Sequence, residues 1–299
     1  MTMDWRGVMP AMTTPFREDG SVDHVFLAKH CAWLADAGCT GIVALGSLGE
    51  GATLDSTEKA AILSTCVKAV AGHIPIVAGI SALSTREAVS LAKASEAAGC
   101  SGLMVLPPYV YVGDWREMKN HVAAVLRATK LTSMLYNNPI AYGVDFLPEH
   151  VMELLDEHKN LRAIKESSAD VRRVCALRAM AGERLRILVG VDDLILEATA
   201  VGACGWIAGL VNAFPHESVE LFELASRGDR EKTFELYKWF LPLLRMDTVP
   251  KFVQLIKLAQ EEVEMGNARV RPPRLPLVGD ELQEARAIIQ KAIATRPSR

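Results

Sequence analysis

Ala37-Gly38-Cys39-Thr40-Gly41-Ile42-Val43 returns as Ala98-Gly99-Cys100-Ser101-Gly102-Leu103-Met104 and, more loosely, as Val201-Gly202-Ala203-Cys204-Gly205-Trp206-Ile207. Each copy reads as a helix stopped by glycine and running straight into a buried strand. Working outward, short β-rich apolar runs recur at 8–13, 41–45, 74–79, 102–106, 133–136, 161–165, 187–189 and 206–208. Between them lie stretches with apolar residues at three- and four-residue intervals, such as 25–37, 56–70, 85–98 and 115–128. That alternation predicts parallel strands joined by helical crossovers. Eight strand–helix units fit a (β/α)8 TIM barrel. A doubly wound sheet is the rival, but Met12-Thr13-Thr14-Pro15-Phe16 follows the first strand where a GxGxxG turn is required. The barrel is expected over residues 1–214, and a helical extension packed on it over 215–299.

The 299 residues are half hydrophobic and 23% charged, with 21 Gly and 14 Pro free of tracts, which describes a globular chain. Thirty-three Lys and Arg against 36 Asp and Glu contain no basic run able to follow a phosphate backbone, so no nucleic-acid partner is expected. The longest apolar stretch, 194–210, carries Glu197 and several glycines. No membrane span is expected, and the first ten residues lack an apolar signal core, which predicts a cytoplasmic address. Six cysteines without CxxC or CxxH spacing read as reduced thiols, and seven scattered histidines offer no metal motif.

In a barrel, functional side chains sit at the C-terminal ends of the strands and in the loops just beyond. The sixth strand ends Leu161-Arg162-Ala163-Ile164-Lys165-Glu166-Ser167-Ser168, and period two puts Leu161, Ala163 and Lys165 on one face. Turned inward, Lys165 is desolvated, which lowers an amine's pKa and makes it a nucleophile toward carbonyls. Paired with a carboxylate or turned outward, it is structural. The fifth strand ends in Tyr136-Asn137-Asn138-Pro139, where the Tyr136 phenol either relays protons or simply packs. After the second strand, Gly46-Ser47-Leu48-Gly49-Glu50 is either a cradle for a carboxylate, built from backbone N–H groups and the Ser47 hydroxyl, or an unliganded turn. Gly190-Val191-Asp192-Asp193 ends the seventh strand, and its aspartates can bind hydroxyls, ligate a metal or cap the next helix.

Together these residues resemble the dihydrodipicolinate synthase and N-acetylneuraminate lyase family of class I, Schiff-base-forming aldolases. Gly46-Ser47-Leu48-Gly49-Glu50 is close to GTTGE or GSTGE, Tyr136-Asn137-Asn138-Pro139 to YNxP, and Ile164-Lys165-Glu166-Ser167-Ser168 to IKxSS; Leu106-Pro107-Pro108-Tyr109 is the fourth motif. The resemblance implies that Lys165 forms the imine with a 2-oxo acid, that Tyr136 shuttles protons, and that Ser47, Leu48 and Gly49 hold the carboxylate. It further implies that Gly190, Asp192 and Asp193 contact distal hydroxyls. No cofactor or metal is implied, and the assembly implied is a homotetramer, a dimer of dimers with the Tyr109 region near a subunit contact.

Departures from the synthase pattern point to a catabolic activity. Ala141 stands where synthases carry a substrate-binding arginine, Ser47 and Val110 replace a threonine and a second tyrosine of the relay, and Leu48 replaces another threonine. Tyr142-Gly143-Val144-Asp145 is similar to the continuation in catabolic lyases. The expected function is a catabolic aldolase, dehydratase or deaminase of a small 2-oxo acid or cyclic imine, such as pyrroline-4-hydroxy-2-carboxylate. The alternatives are 4-hydroxy-tetrahydrodipicolinate synthase or N-acetylneuraminate lyase proper, a metal-dependent hydrolase using Asp192, Asp193 and Glu50, and a non-catalytic barrel that binds a small acid.

Overall fold

The computed structural model describes residues 3–297, so the first two and last two residues of the expected units lie outside it. Eight strands, β1 (Gly7–Pro10), β2 (Ile42–Ala44), β3 (Ile76–Ile80), β4 (Gly102–Val105), β5 (Thr132–Asn137), β6 (Leu161–Glu166), β7 (Arg186–Val189) and β8 (Gly205–Ala208), pair in parallel around one sheet. Bonds from Thr40 N–H to Val8 O and from Met12 N–H to Val43 O, both 2.9 Å, join β1 to β2 and close the ring. Helices α1 (His24–Asp36), α2 (Ser56–Val70), α3 (Thr85–Ala97) and α4 (Trp115–Ala128) follow β1 to β4. The one-turn α5 (Pro139–Tyr142) and α6 (Pro148–Glu157) follow β5, while α7 (Val171–Ala181), α8 (Ile195–Ala200) and α9 (Pro215–Arg227) follow β6, β7 and β8. This is the (β/α)8 TIM barrel that the alternation predicts.

The three repeat copies end their helices alike. Gly38, Gly99 and Gly202 have φ of +94°, +88° and +107°. The next residue's N–H reaches back five positions, from Cys39 to Leu34 O, Cys100 to Ser95 O and Ala203 to Ala198 O. A side chain is costly at such φ, so glycine recurs where each helix must reverse onto a strand.

Helix α9 packs on β1 and α8 as the eighth barrel helix. The helices outside the repeating unit are therefore α10 (Arg230–Leu244), α11 (Phe252–Glu262) and α12 (Gly279–Ala294). Helical period alone does not distinguish a barrel helix from the extension, and residue 215, where the sequence reading begins the extension, is the first residue of α9.

One apolar cluster fills the space between strands and helices, and a second fills the barrel with Met9, Val43, Val77, Met104, Met134, Leu188 and Ile207. Trp5 closes its lower end, its indole N–H donating to Thr132 Oγ1 at 2.9 Å. The face assignment on β6 needs one correction. A register shift opposite Ser133 and Met134 sends Leu161 to the helix layer, while Ala163 lies inside the barrel. A bulge breaks period two at that point.

A polar tie fastens the barrel to the extension, Thr13 Oγ1 donating to Gln260 Oε1 at 2.8 Å, and beside it, within the barrel, Nε2 of the fully buried His30 donates to Asn212 O at 3.0 Å. Burial lowers the His30 pKa from 6.5 to about 4. The unfolded chain therefore takes up a proton near pH 6.5 that the folded chain refuses, and stability drains away as pH falls from 6.5 toward 4, by roughly 3 kcal/mol. His30→Gln should flatten that dependence in denaturant titrations run across the same range. An unchanged slope contradicts this account.

Candidate active site

Barrel register decides which side chains meet. Tyr136 on β5 pairs with Lys165 on β6, and both turn inward. Lys165 is 6% exposed, and its Nζ lies 4.4 Å from the centre of the Tyr136 ring. Asn138 caps α5 by accepting from Ala141 N–H, and its Nδ2 donates to the Tyr136 hydroxyl at 3.0 Å. The Asn-Asn-Pro turn thus sets both the next helix and the phenol. Asn137 faces the other way, bonding Asp145, Glu166 and Phe146 N–H.

Ser47 lies at the end of β2, across the ring from β6. Its hydroxyl is hydrogen-bonded to that of Tyr142, whose ring meets Tyr136 edge-on at 5.8 Å and lies 5.6 Å from Tyr109. Burial, followed by the neighbouring Tyr136 and Tyr109, raises the Tyr142 pKa, so this phenol stays protonated. Val110, at the position of the missing second tyrosine, has φ of +72° and is 95% exposed. Tyr142, which the sequence reading left without a role, brings a hydroxyl to Ser47 from α5 instead.

The Gly46–Gly49 loop runs between two non-glycine residues in the left-handed region, Leu45 at φ +65° and Glu50 at +54°. A β-carbon on Gly49 would sit 2.8 Å from Met12 O, too close to tolerate. The extension holds this shape from behind. Lys257 Nζ on α11 donates to Glu50 Oε1 at 2.6 Å, both side chains being at most 2% exposed, and Arg271 N–H donates to Glu50 Oε2 at 3.0 Å. The pKa of Lys257 falls to about 8 because burial outweighs its ion pair with Glu50.

The remaining sequence candidates divide. Gly190, at the end of β7, leaves room for Lys165 and Ser167, since a β-carbon there would overlap both side chains. Asp192 is fully buried and accepts from Gly209 N–H and Leu210 N–H, each at 3.1 Å, next to Lys165. Asp193 lies beside Arg245, its carboxylate 3.7 Å from Nε. The Leu48 side chain packs in the helix-layer core, leaving only its backbone for a ligand. With Glu50 bound to Lys257 and Asp193 beside Arg245, the carboxylates of the metal-hydrolase reading do not converge. Sequence reasoning also passed over Ser167, whose buried hydroxyl lacks a hydrogen-bond partner beside Lys165, although it lies within the quoted Ile164–Ser168 motif.

A lysine and a tyrosine from neighbouring strands at the C-terminal mouth of a (β/α)8 barrel, facing a glycine-rich turn, mark an enzyme of the class I aldolase type. The chain belongs to the dihydrodipicolinate synthetase family, whose model matches residues 4–292. It is 32% identical over 269 residues to the 4-hydroxy-tetrahydrodipicolinate synthase of Agrobacterium fabrum, covering 90% of this chain and 92% of that one. A synthase of the same name from Chelativorans is 34% identical over 239 residues, covering 80% and 82%. Dihydrodipicolinate synthase from Aquifex aeolicus superposes with TM-score 0.92 at 28% identity, over 96% of this chain and 98% of its own. YagE of Escherichia coli K12, a prophage protein of this family solved with pyruvate, superposes with TM-score 0.91 at 27% identity, over 97% and 99%.

Removing Lys257 leaves the buried Glu50 carboxylate with the Arg271 N–H and the Arg274 guanidinium 3.8 Å away. Lys257→Met is therefore expected to cost about 2–3 kcal/mol in urea unfolding. A loss below about 1 kcal/mol would show that the loop does not depend on this latch.

Proposed function

We propose that the protein is a Schiff-base-forming lyase or hydro-lyase acting on a small 2-oxo acid or cyclic imine. The observation that carries this reading is the pairing of an inward, almost fully buried Lys165 with Tyr136 at the same register. The Lys165 amine adds to C2 of the substrate, and the carbinolamine oxygen takes a proton from the Tyr136 hydroxyl and leaves as water. The resulting iminium draws electrons from C3 when a C3 bond to hydrogen or carbon breaks. The substrate carboxylate is held by Ser47 and the N–H groups of the Gly46–Gly49 turn, with Tyr142 behind Ser47. The pyruvate complex of the similar YagE protein supports a 2-oxo acid as the ligand class.

The names of the sequence relatives favour 4-hydroxy-tetrahydrodipicolinate synthase as a second reading. Ala141 weighs against it. This residue lies exposed on α5 and offers no guanidinium for a second carboxylate. A catabolic dehydratase or deaminase of the pyrroline-4-hydroxy-2-carboxylate kind needs no such group. N-acetylneuraminate lyase is disfavoured by Leu48, whose side chain is buried away from the mouth. A purely binding role leaves the buried amine unexplained. We also propose the homotetramer: Val110, Tyr111, Val112 and Ile140 expose apolar surface beside Tyr109, of the kind that subunit contacts cover.

Borohydride added with pyruvate should place the reduced adduct's mass on the peptide holding Lys165, and Lys165→Ala should give no adduct and no turnover. An unmodified Lys165 peptide in an active preparation rejects the reading.

A further inference from the structure

Beyond β7 and β8 the mouth of the barrel holds a side chain from outside the repeating unit. Asp247 sits in the short 3-10 turn Arg245–Thr248 between α10 and α11. Ile207 points into the barrel, so period two turns Gly209 inward as well, and a β-carbon on Gly209 would overlap the Asp247 carboxylate. Glycine at 209 therefore clears space for Asp247, as Gly190 does for Lys165 and Ser167.

Asp247 meets Asp192 there. Gly209 N–H bonds Asp192 while a β-carbon on Gly209 would overlap Asp247, so the two carboxyl groups are neighbours, and both feel the charge of Lys165. Two buried carboxyl groups this close do not both ionise, so one of them keeps its proton. Asp192 already accepts two backbone N–H bonds, from Gly209 and Leu210, which suits it to carry the negative charge and leaves the proton on Asp247. Burial and the Asp192 charge push the Asp247 pKa well up, in keeping with that division. Asp247 Oδ1 is shut off from solvent and has no hydrogen-bond partner. Ser167 Oγ, 2% exposed at residue level and equally unpartnered, lies beside the same lysine. Two unsatisfied buried polar atoms, one against Gly190 and one against Gly209, mark the place of a polar ligand group on this side of the mouth.

With its carboxylate at the β2 turn, C2 on Lys165 of β6 and the Tyr136 and Tyr142 rings occupying the β5 side, the chain from C3 onward is left the β7 and β8 side. We propose that Asp247 is the general acid that protonates the leaving group at C4 of the imine-bound substrate. This rests on the Schiff-base reading above. In the step, the enamine nitrogen's electron pair reforms C2=N, the C2=C3 pair shifts to C3=C4, and the C4–O bond breaks. The Asp247 proton goes to the departing oxygen, and water leaves. No oxidant or further reactant is needed, and the substrate class is 2-oxo acids, or cyclic imines opened by Lys165, bearing a hydroxyl at C4.

The test compares the native protein with Asp247→Asn on two probes, 4-hydroxy-2-oxobutanoate and 4-chloro-2-oxobutanoate, with pyruvate trapping by borohydride run on both proteins. Chloride needs no proton to leave, whereas hydroxide does. The variant should lose water elimination by on the order of 10²-fold or more, keep chloride elimination within a few-fold, and still trap pyruvate on Lys165. Equal losses on both probes make Asp247 a structural residue and overturn the proposal. So do equal retention on both, or a native protein that expels chloride but not water. A native protein that fails to trap pyruvate rejects the Schiff-base reading itself.

Discussion

A primary amine brought into an apolar barrel loses most of its hydration, and everything proposed for this protein follows from what surrounds that amine. Lys165 has a tyrosine ring at the same register on one side and a glycine on the other, with Asp192 and Asp247 packed about Gly209 further round. Strand pairing, not loop flexibility, fixes these neighbours. Parallel strands that alternate inward and outward residues present Tyr136, Lys165, Gly190 and Gly209 at the top of four consecutive strands, so the site is as rigid as the barrel.

The helical extension gives the catalytic face its shape. Lys257 holds Glu50 in its left-handed conformation and, through it, the turn proposed to grip the carboxylate. The turn before α11 delivers Asp247 to the mouth. A barrel without these segments keeps its hydrophobic interior but loses the two devices that orient the ends of a substrate. The Glu50 pair illustrates a general balance: burying opposite charges contributes little net stability, yet losing one partner is expensive, so such a pair serves better to fix geometry than to strengthen the fold.

How much was legible in the sequence depended on the range of the signal. Glycine-stopped helices and apolar runs are local, and they predicted the strands and the barrel, while the sixth strand alone left Lys165 open between an inward and an outward setting. The Tyr136 and Ser47 turns were legible because barrel geometry brings all strand ends to one face. Face assignment failed at Leu161, where a bulge interrupts the alternation. Asp193 lies beside Arg245, 52 positions along the chain, a neighbour that no local pattern announces. Tyr142 and Asp247 were missed for a related reason: one stands on a single helical turn and the other between two helices of the extension, and no periodicity says where either side chain points. Position 215 likewise reads as generic helix, although α9 completes the barrel.

The most direct measurement is a crystal structure of the protein soaked with pyruvate. The account predicts continuous density from Lys165 Nζ to C2 of the ligand, the ligand carboxylate on the Ser47 turn, and its methyl carbon directed toward Gly190 and Asp247. Pyruvate bound without a covalent link to Lys165, or with its carboxylate on the Asp192 side of the barrel, would contradict it.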